Sequence, residues 1–385
     1  MTVAGIVAEY NPFHSGHALH IRRTREAGAD HIAAVMSGNF VQRGEPALFP
    51  KAARVAATLA GGVDLILELP TAWALSSAER FGFGAVSILD RLGCVDLLSF
   101  GSEAGDTAAL NQAAAWLDRP EFITKLKDYM GQGITYAAAS EKAMAGLAGE
   151  ETGRLLASPN DTLGIAYIRA LNQLDSNITP LAVPREGAAH DGSIQSSGIC
   201  SASYIRELAR AGEWEKAADY MPPEAYEILT REWQAGHAVT GPAIDRAVLA
   251  KLRGMRDFSK IAGASEGLEN RLAAAVKTAG SLRELEEAVK TKRYPLSRIR
   301  RLIWSAALNI PAGMMASAPP YVRVLGLNQL GEEILAAAKC RIVSRASEMS
   351  GPVWELECRA SDWYGLATAA PMAAGREYTD RTVKL

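Results

Sequence analysis

The stretch that decides the fold is residues 3–22, VAGIVAEYNPFHSGHALHIR, near the start of the chain. Its first six residues, 3–8, form a short apolar run that predicts a buried β-strand. Pro12 ends this run, because proline fixes its own φ and turns its predecessor away from helix. Apolar residues then return at helical spacing. We therefore expect a strand, a tight loop and a helix, with His14 and His17 where the helix begins.

The start of such a helix is suited to binding phosphate. Its first N–H groups have no partner within the helix, and the helix dipole places partial positive charge there. Gly16 lacks a Cβ, so a ligand can approach the backbone closely. The pattern His-x-Gly-His after a first strand resembles the nucleotide-binding signature of the adenylyl-transferring nucleotidyltransferases. The resemblance implies that His14 and His17 donate hydrogen bonds to ATP phosphates.

Two other interpretations of these histidines remain open at this point. They could be ordinary core or surface residues of the helix. Alternatively, His14, His17 and His20 are spaced three apart and could hold a metal ion. No carboxylate or cysteine stands at ligand spacing on the same helix, so we favour phosphate and predict no metal ligands. His20 we interpret from the residues alone as structural.

Composition limits the class of protein. The 385 residues are enough for about two or three domains, and 48% are hydrophobic, enough for real cores. The net charge of −2 gives no overall basic signal, so a nucleic-acid partner would need a local basic surface. No signal segment or membrane span is visible, and the widely spaced cysteines fit a reducing cytoplasm, where we place the protein. These cysteines are Cys94, Cys200, Cys340 and Cys358.

Apolar strand-like runs alternate with helical patterns through the first half of the chain. Such alternation predicts an α/β fold with a Rossmann-like parallel sheet and ligands beyond the carboxyl ends of its strands. After the first strand we expect strands at 31–36, 64–69, 96–100 and 179–183, and helices at 51–60, 77–92, 158–171 and 200–210. Residues 106–153 are predicted to be a helical insertion. The segments 11–17, 37–43 and 101–103 should then meet at one edge of the sheet.

The residues around the later elements suggest further site groups. Asn160 or Asp161 could be a simple helix N-cap. The strand at 179–183 is expected to run into a glycine-rich loop that holds His190 and Asp191. Arg206, three residues after Ser203 at a helix start, could meet a polyphosphate, although the serines alone could be only caps.

Beyond residue 212 the pattern changes to helices without strands, with paired helices at 268–277 and 282–291. A dense basic group follows and starts a helix after a proline. It could be a solvated face, but its density and interleaved aromatics favour nucleic-acid binding. Its members are Lys290, Lys292, Arg293, Arg298, Arg300 and Arg301. Nearer the end we expect a helix at 331–339, a strand at 353–358 and a helix at 361–369.

Seven motifs, in this order, resemble the bacterial tRNA(Met) cytidine acetate ligases. They are GIVAEYNPFHSGH (5–17), SGNFVQRGEPA (37–47), ELP (68–70), FGSE (100–103), SPN (158–160), SASYIREL (201–208) and KTKRYPLSRIRRL (290–302). The resemblance implies a nucleotidyltransferase-like catalytic domain over 1–212 and a mainly helical tRNA-binding region over 213–385.

The resemblance also implies a reaction and its site. ATP, with Mg²⁺, would activate acetate as acetyl-adenylate, and the acetyl group would pass to the wobble cytidine of elongator tRNA(Met). His14 and His17 would be catalytic, and the basic group would bind tRNA. The implied ATP contacts are Val7, Ala8, Glu9, Tyr10, Asn11, Pro12, Phe13, His14, Ser15, Gly16, His17, Ala18, Leu19, His20, Gly101, Asn160 and Arg185, with Ser203, Arg206 and Lys51 as further candidates on the pyrophosphate side.

Two rival classes of function remain. One is a small-molecule adenylyltransferase that never touches RNA, which the basic group argues against. The other is a non-catalytic tRNA-binding protein that keeps the α/β domain as a scaffold. The retained His14, Gly16 and His17 argue against this second class.

Overall fold

The computed structural model describes residues 1–185 and 200–385, and one mixed β-sheet lies at its centre. The strands of the described residues are β1 Val3–Ala8, β2 His31–Ser37, β3 Phe40–Val41, β4 Glu45–Pro46, β5 Leu65–Leu69, β6 Leu97–Ser102, β7 Thr179–Pro184, β8 Val322–Leu327, β9 Ile342–Val343 and β10 Val383–Lys384. The sheet order is β10-β8-β5-β2-β1-β6-β7, with β9 beside β8, and β3 and β4 form a separate hairpin. The predicted loop with His190 and Asp191 lies outside the described residues.

Helices connect and cover these strands. They are α1 Ser15–Glu26, α2 Lys51–Ala60, α3 Thr71–Ala74, α4 Ala78–Leu92, α5 Thr107–Leu117, α6 Pro120–Gly131, α7 Tyr136–Ala148, α8 Glu150–Leu155, α9 Pro159–Gln173, α10 Ala202–Arg210, α11 Pro223–Gln234, α12 Asp245–Arg253, α13 Leu268–Ala275, α14 Leu282–Val289, α15 Leu296–Ala307, α16 Gln329–Ala337, α17 Pro352–Ala367 and α18 Arg376–Thr379, with 3₁₀ turns at Trp214–Tyr220 and Ala346–Glu348. The predicted α/β fold is confirmed, and helices α5–α8 occupy the segment 106–153.

The five strands β5, β2, β1, β6 and β7 run parallel to one another. Ala8 at the end of β1 is level with Met36 of β2, and Ser102 at the end of β6 is level with Pro184 of β7. Their carboxyl ends therefore share one edge. That edge is where a parallel sheet places its ligands.

The core lies on both faces of this sheet. Alternate residues of a strand point to opposite faces. Val35 and Leu67 pack in one buried cluster with Ile88 of α4, whereas Ala34 and Ile66 pack in a second cluster with residues of α2. Because both faces are covered, β2 and β5 are buried along their whole length and read as continuous apolar runs.

Two expectations for the C-terminal half were wrong. Residues 213–385 are not strand-free, because β8 pairs antiparallel with β5 and extends the central sheet. Residues 353–358 are not a strand but the first turns of α17, which runs without interruption into the predicted helix at 361–369. The two segments on either side of the predicted boundary at residue 212 thus share one sheet. The later segment is mainly helical, as expected.

None of the helices in the described parts of the chain is long and apolar enough to cross a membrane.

Candidate active site

One buried arginine on α2 holds the loop that follows β1 through hydrogen bonds to backbone carbonyls. Arg54 of α2 is fully buried, and its guanidinium donates to the carbonyls of Tyr10 (3.2 Å), Gly38 (2.5 Å) and Ser37 (2.9 Å), and also to that of Glu9. Burial lowers the pKa of Arg54 to about 10. One planar cation therefore fixes the ends of β1 and β2 against each other.

Sequence patterns did not single out Arg54. The one sequence feature that could have indicated its role is that an arginine stands among the small and apolar residues of α2. Tyr10 shows the consequence of this tight loop: its φ is 43°, in the left-handed region that non-glycine residues rarely adopt.

His14 and His17 form a reciprocal capping box at the start of α1. His14 is the N-cap residue, and its Nδ1 accepts a hydrogen bond from the backbone N–H of Gly16 at 3.0 Å. The Nδ1 of His17 in turn accepts from the backbone N–H of His14 at 3.2 Å. The two rings lie 3.7 Å apart between centroids. An acceptor Nδ1 in a neutral imidazole leaves the proton on Nε2. Both rings therefore present an Nε2–H donor.

The pKa values of the three histidines support the neutral form. Burial lowers the pKa of His14 to about 3, with Arg185 and Arg206 adding to the effect. Burial also holds the pKa of His17 well below its usual value, and the neighbouring His14 lowers it further. Burial lowers the pKa of His20 to about 4. Neutral rings at pH 7 can donate hydrogen bonds to an anion without themselves requiring a counter-charge.

His20 has a partner of its own. Its Nε2 lies 3.0 Å from the Ser99 hydroxyl in β6, which also meets the Thr24 hydroxyl at 2.6 Å. The ring thus ties α1 to the sheet. This geometry agrees with the structural interpretation of His20 rather than with a phosphate contact.

Gly101, Asn160 and Arg185 meet at the ends of β6 and β7, as the resemblance implies. The Arg185 guanidinium lies 3.5 Å from the Asn160 Oδ1, and a Cβ on Gly101 would lie only 3.3 Å from the Cγ of Arg185. Arg185 is exposed, and its positive charge contributes to the lowered pKa values of His14 and His17. The structure therefore brings this trio and the histidines to one site.

Asn160 and Asp161 are not helix caps. Helix α9 begins at Pro159 with Ser158 in the cap position. The buried Asp161 carboxylate instead accepts from the Ser102 hydroxyl at 2.5 Å and from the N–H of Glu103 at 3.0 Å. The Asn160 amide donates to the Glu103 carboxylate at 2.5 Å. Both side chains therefore shape the turn after β6.

Arg206 and Ser203 support the loop from the α10 side. Arg206 is buried and donates to the carbonyl of Asn11 at 2.8 Å and to the Ser203 hydroxyl at 3.1 Å. Its Nε lies 3.5 Å from a Glu45 carboxylate oxygen without forming a hydrogen bond. The structure thus places Arg206 under the nucleotide loop, and a phosphate contact from it stays a prediction.

Lys51 does not face the predicted pyrophosphate side. Its ammonium is buried between the carboxylates of Glu68 (2.5 Å) and Glu377 (2.7 Å). Arg323 of β8 contacts the same two carboxylates at 3.0 and 2.5 Å. We call Lys51, Glu68, Arg323 and Glu377 the ionic cluster. It gives the ELP motif a structural role, since Glu68 is one of its two carboxylates.

The predicted basic group divides into two sets. Lys290, Lys292 and Arg293 are exposed, and Arg293 lies 3.8 Å from the Glu266 carboxylate. The other three are half-buried and have specific partners within the protein. Arg298 pairs with Glu266 at 2.8 Å, Arg300 makes a bidentate contact with Glu286 at 3.0 and 2.9 Å, and Arg301 donates to the carbonyl of Gln42 at 2.9 Å.

This fold and site define a nucleotidyltransferase of the His-x-Gly-His class. A parallel sheet presents the carboxyl end of β1, two neutral imidazoles and a helix N-terminus at one edge. Comparison with known proteins agrees, because the family model HIGH Nucleotidyl Transferase matches residues 1–378.

Relatives narrow the class further. The tRNA(Met) cytidine acetate ligase of Caldicellulosiruptor saccharolyticus is 38% identical over 95% of this chain and 94% of its own length. That of Thermoanaerobacter pseudethanolicus is 36% identical over 100% of both chains. The crystal structure of Thermotoga maritima TmcAL bound with alpha-thio ATP is 34% identical, covers 100% of both chains and superposes with a TM-score of 0.91.

The chain belongs to the tRNA(Met) cytidine acetate ligase family. The family and the enzyme class predicted from the sequence, a ligase, are thereby confirmed.

Proposed function

We propose that this protein uses ATP to activate acetate as acetyl-adenylate and transfers the acetyl group to the wobble cytidine of elongator tRNA(Met). The observation that carries the proposal is the pair of neutral imidazoles at the start of α1. In both rings Nδ1 is occupied by a backbone N–H, and Nε2–H has no acceptor among the described residues. The names of the relatives supply the tRNA and the acetate.

In the first half-reaction a carboxylate oxygen of acetate attacks the α-phosphorus of ATP, and the bond to pyrophosphate breaks. This chemistry depends mainly on holding the reactants in line and on stabilising charge. His14, His17 and the N-terminus of α1 supply donors, and Arg185 supplies a cation beside them. The other contacts of the nucleotide would come from residues 7–20 other than Glu9, whose carboxylate would repel the phosphates, and His20, whose ring contacts Ser99, together with Gly101 and Asn160.

Mg²⁺ would be held mainly by the nucleotide phosphates. Among residues 1–185 and 200–385 no group of three or more His, Cys, Asp or Glu side chains is arranged to hold a metal ion. Mg²⁺ commonly binds through phosphates and few protein carboxylates. When bound, it would neutralise charge on the leaving pyrophosphate.

In the second half-reaction the exocyclic amine of cytidine attacks the acetyl carbonyl and AMP leaves. The exposed Lys290, Lys292 and Arg293 would contact tRNA phosphates, because exposed cations can neutralise an incoming backbone. Residues 1–212 would then form the catalytic part, and residues 213–385 the tRNA-binding part that contributes β8 to the shared sheet.

The test is mass analysis of the nucleosides of tRNA(Met) after incubation with protein, ATP and acetate. N4-acetylcytidine should appear only when all three are present, together with equal amounts of AMP. Acetylation from acetyl-CoA without ATP would contradict the ligase proposal. Adenylylation of a small metabolite without tRNA would instead favour the rival adenylyltransferase.

A further inference from the structure

Glu9 is the acidic residue of the nucleotide loop, and the ATP chemistry leaves it without a role. It directly follows β1 and is half-buried. One carboxylate oxygen, Oε1, accepts a hydrogen bond from the backbone N–H of Gln42. No group in the described parts of the chain hydrogen-bonds to the other oxygen. Glu9 thus has a fixed orientation and one open acceptor.

The residue that holds Glu9, Gln42, also contacts α15. The carbonyl of Gln42 accepts from Arg301 of α15 at 2.9 Å. The hairpin tip lies tightly on this helix, since a Cβ at Gly44 would lie 2.5 Å from the backbone nitrogen of Arg301. Glu9 therefore lies where the nucleotide loop meets α15, the helix that follows the proposed tRNA contacts at 290–293.

Charged groups from several elements surround the Glu9 carboxylate. Burial raises its pKa, although the Gln42 hydrogen bond and three arginines act in the opposite direction. A carboxyl whose pKa is raised toward neutrality is a better proton acceptor than an ordinary one. The neighbours by element are Arg43 in the hairpin turn, Arg54 of α2, Tyr167 of α9, Arg206 of α10 and Arg301 of α15.

A carboxylate in this position does not favour ATP binding, because it repels polyphosphate. It suits a partner that brings N–H donors. The exocyclic amine of cytosine is such a partner, and carboxylates are its usual acceptors in proteins. That amine must also lose one of its two protons as it becomes an amide nitrogen.

Resting on the function proposed above, we propose that Glu9 is a catalytic residue of the acyl-transfer step and accepts the proton from the attacking cytidine amine. The amine nitrogen forms a bond to the acetyl carbon, and the bond from that carbon to the AMP oxygen breaks. AMP leaves with the electron pair. The amine proton passes to the open oxygen of Glu9, and solvent later removes it.

Hydroxylamine trapping separates the two steps. Hydroxylamine attacks acetyl-adenylate without a protein base and yields acetohydroxamate, so it reports activation alone. We expect Glu9→Gln to form acetohydroxamate within about threefold of the wild-type rate, because the amide keeps the acceptor for Gln42. Its transfer to tRNA should fall by about 10²-fold or more, as expected for losing a general base.

The pH profile supplies a second readout. Wild-type transfer under single-turnover conditions should rise with pH as Glu9 ionises and then level off, whereas Glu9→Gln should lack this rise. Glu26→Gln is the matched control, because Glu26 is exposed at the end of α1 and pairs with Arg22 and Arg23. It should match the wild type in both reactions.

Each outcome is decisive. Equal losses of hydroxamate and acetylcytidine would overturn the proposal, since Glu9 would then act in activation, for example through Mg²⁺. Unchanged transfer in Glu9→Gln would overturn it as well. If the wild type itself formed no hydroxamate, with or without tRNA, the adenylate route of the proposed function would fail, and the Glu9 proposal with it.

Discussion

Two polar clusters lie at the same edge of the central sheet, and their chemistry is opposite. The histidine cluster, His14, His17 and His20, follows β1 and consists of neutral rings. The ionic cluster lies at β5 and β8, where each of two cations contacts two carboxylates. The ionic cluster also lies close to the loop after β2, since a Cβ on Gly38 would be 3.5 Å from a Glu68 oxygen.

The difference teaches how to distinguish a site from a structural brace. Every charge of the ionic cluster already has a partner within the chain, so a ligand would gain little there. The rings of His14 and His17 have their inner nitrogens occupied and their outer N–H groups open. Buried charge by itself is therefore a poor signal of function, and open donors are a better one.

The largest effect is expected from breaking the ionic cluster. Glu68→Gln removes the fully buried carboxylate between Lys51 and Arg323 and leaves two cations to share Glu377. Removing one partner from a buried ion pair typically costs about 3–5 kcal/mol. Urea denaturation should show a loss of unfolding free energy of about this size.

The control for Glu68→Gln is Glu332→Gln, which removes an exposed pair with Lys384. An exposed pair contributes about 0–1 kcal/mol. If Glu68→Gln were no more destabilising than this control, the ionic cluster would not be the brace described here.

The second prediction concerns the open donors. His14→Ala and His17→Ala should each lower the acetylation rate by about 10²–10³-fold, the usual cost of losing one donor to transition-state charge. His14→Ala also loses an N-cap, about 1 kcal/mol of stability. Near-normal turnover in both variants would contradict the phosphate assignment.

Thermal unfolding and His237→Ala are the controls for the histidine variants. His237 pairs with Glu232 outside the cluster, and its removal should leave turnover unchanged. If the two cluster variants lost their cooperative unfolding along with activity, the histidines would be structural instead.

A third prediction uses pH to test the neutral rings. The pKa of His20 is about 4 in the folded protein and about 6.5 when unfolded. Between these values the unfolded chain binds more protons. Stability from this ring is thus complete above pH 6.5 and falls by up to about 1.4 kcal/mol per pH unit as the pH decreases toward 4. Urea denaturation at pH 7, 6 and 5 should show a shallower loss for His20→Asn than for the wild type, and parallel curves would contradict a neutral buried ring.

The smallest effects are expected from the basic group, whose exposed and paired halves should behave differently. Replacing Lys290, Lys292 and Arg293 with alanine should reduce the salt dependence of tRNA binding, with the slope lowered by about 0.9 for each phosphate that the protein no longer neutralises. ATP binding and the urea midpoint should not change. Binding measured at several salt concentrations tests this, and an unchanged slope would make these residues a solvated face.

The paired half serves as the comparison. Replacing Arg298, Arg300 and Arg301 should also lower stability, since their guanidiniums have partners in the protein. Arg301→Ala should in addition disturb the nucleotide loop, because it contacts Gln42. The sequence alone assigned all six residues to one role, and burial divides them.

The unit from β1 to α1 could be predicted because its information is local. The strand at 3–8 and helix α2 at 51–60 have the predicted bounds. Apolar runs, Pro12 and the spacing of His14 and His17 all act within a few residues, so they can be read from the chain directly. The nucleotide edge then follows, since parallel strands align their carboxyl ends.

Only the tertiary structure decided which distant segments of the chain pack or pair with each other. Residues 353–358 read as a strand by composition, yet they form a helix because α17 packs across α3 and buries Glu357 against Thr71. Strand β8 lies far along the chain from β5, yet the two strands pair, and Arg323 on β8 meets Glu68. Nothing local encodes such pairing, because the energy that favours it arises only when both segments are already in place.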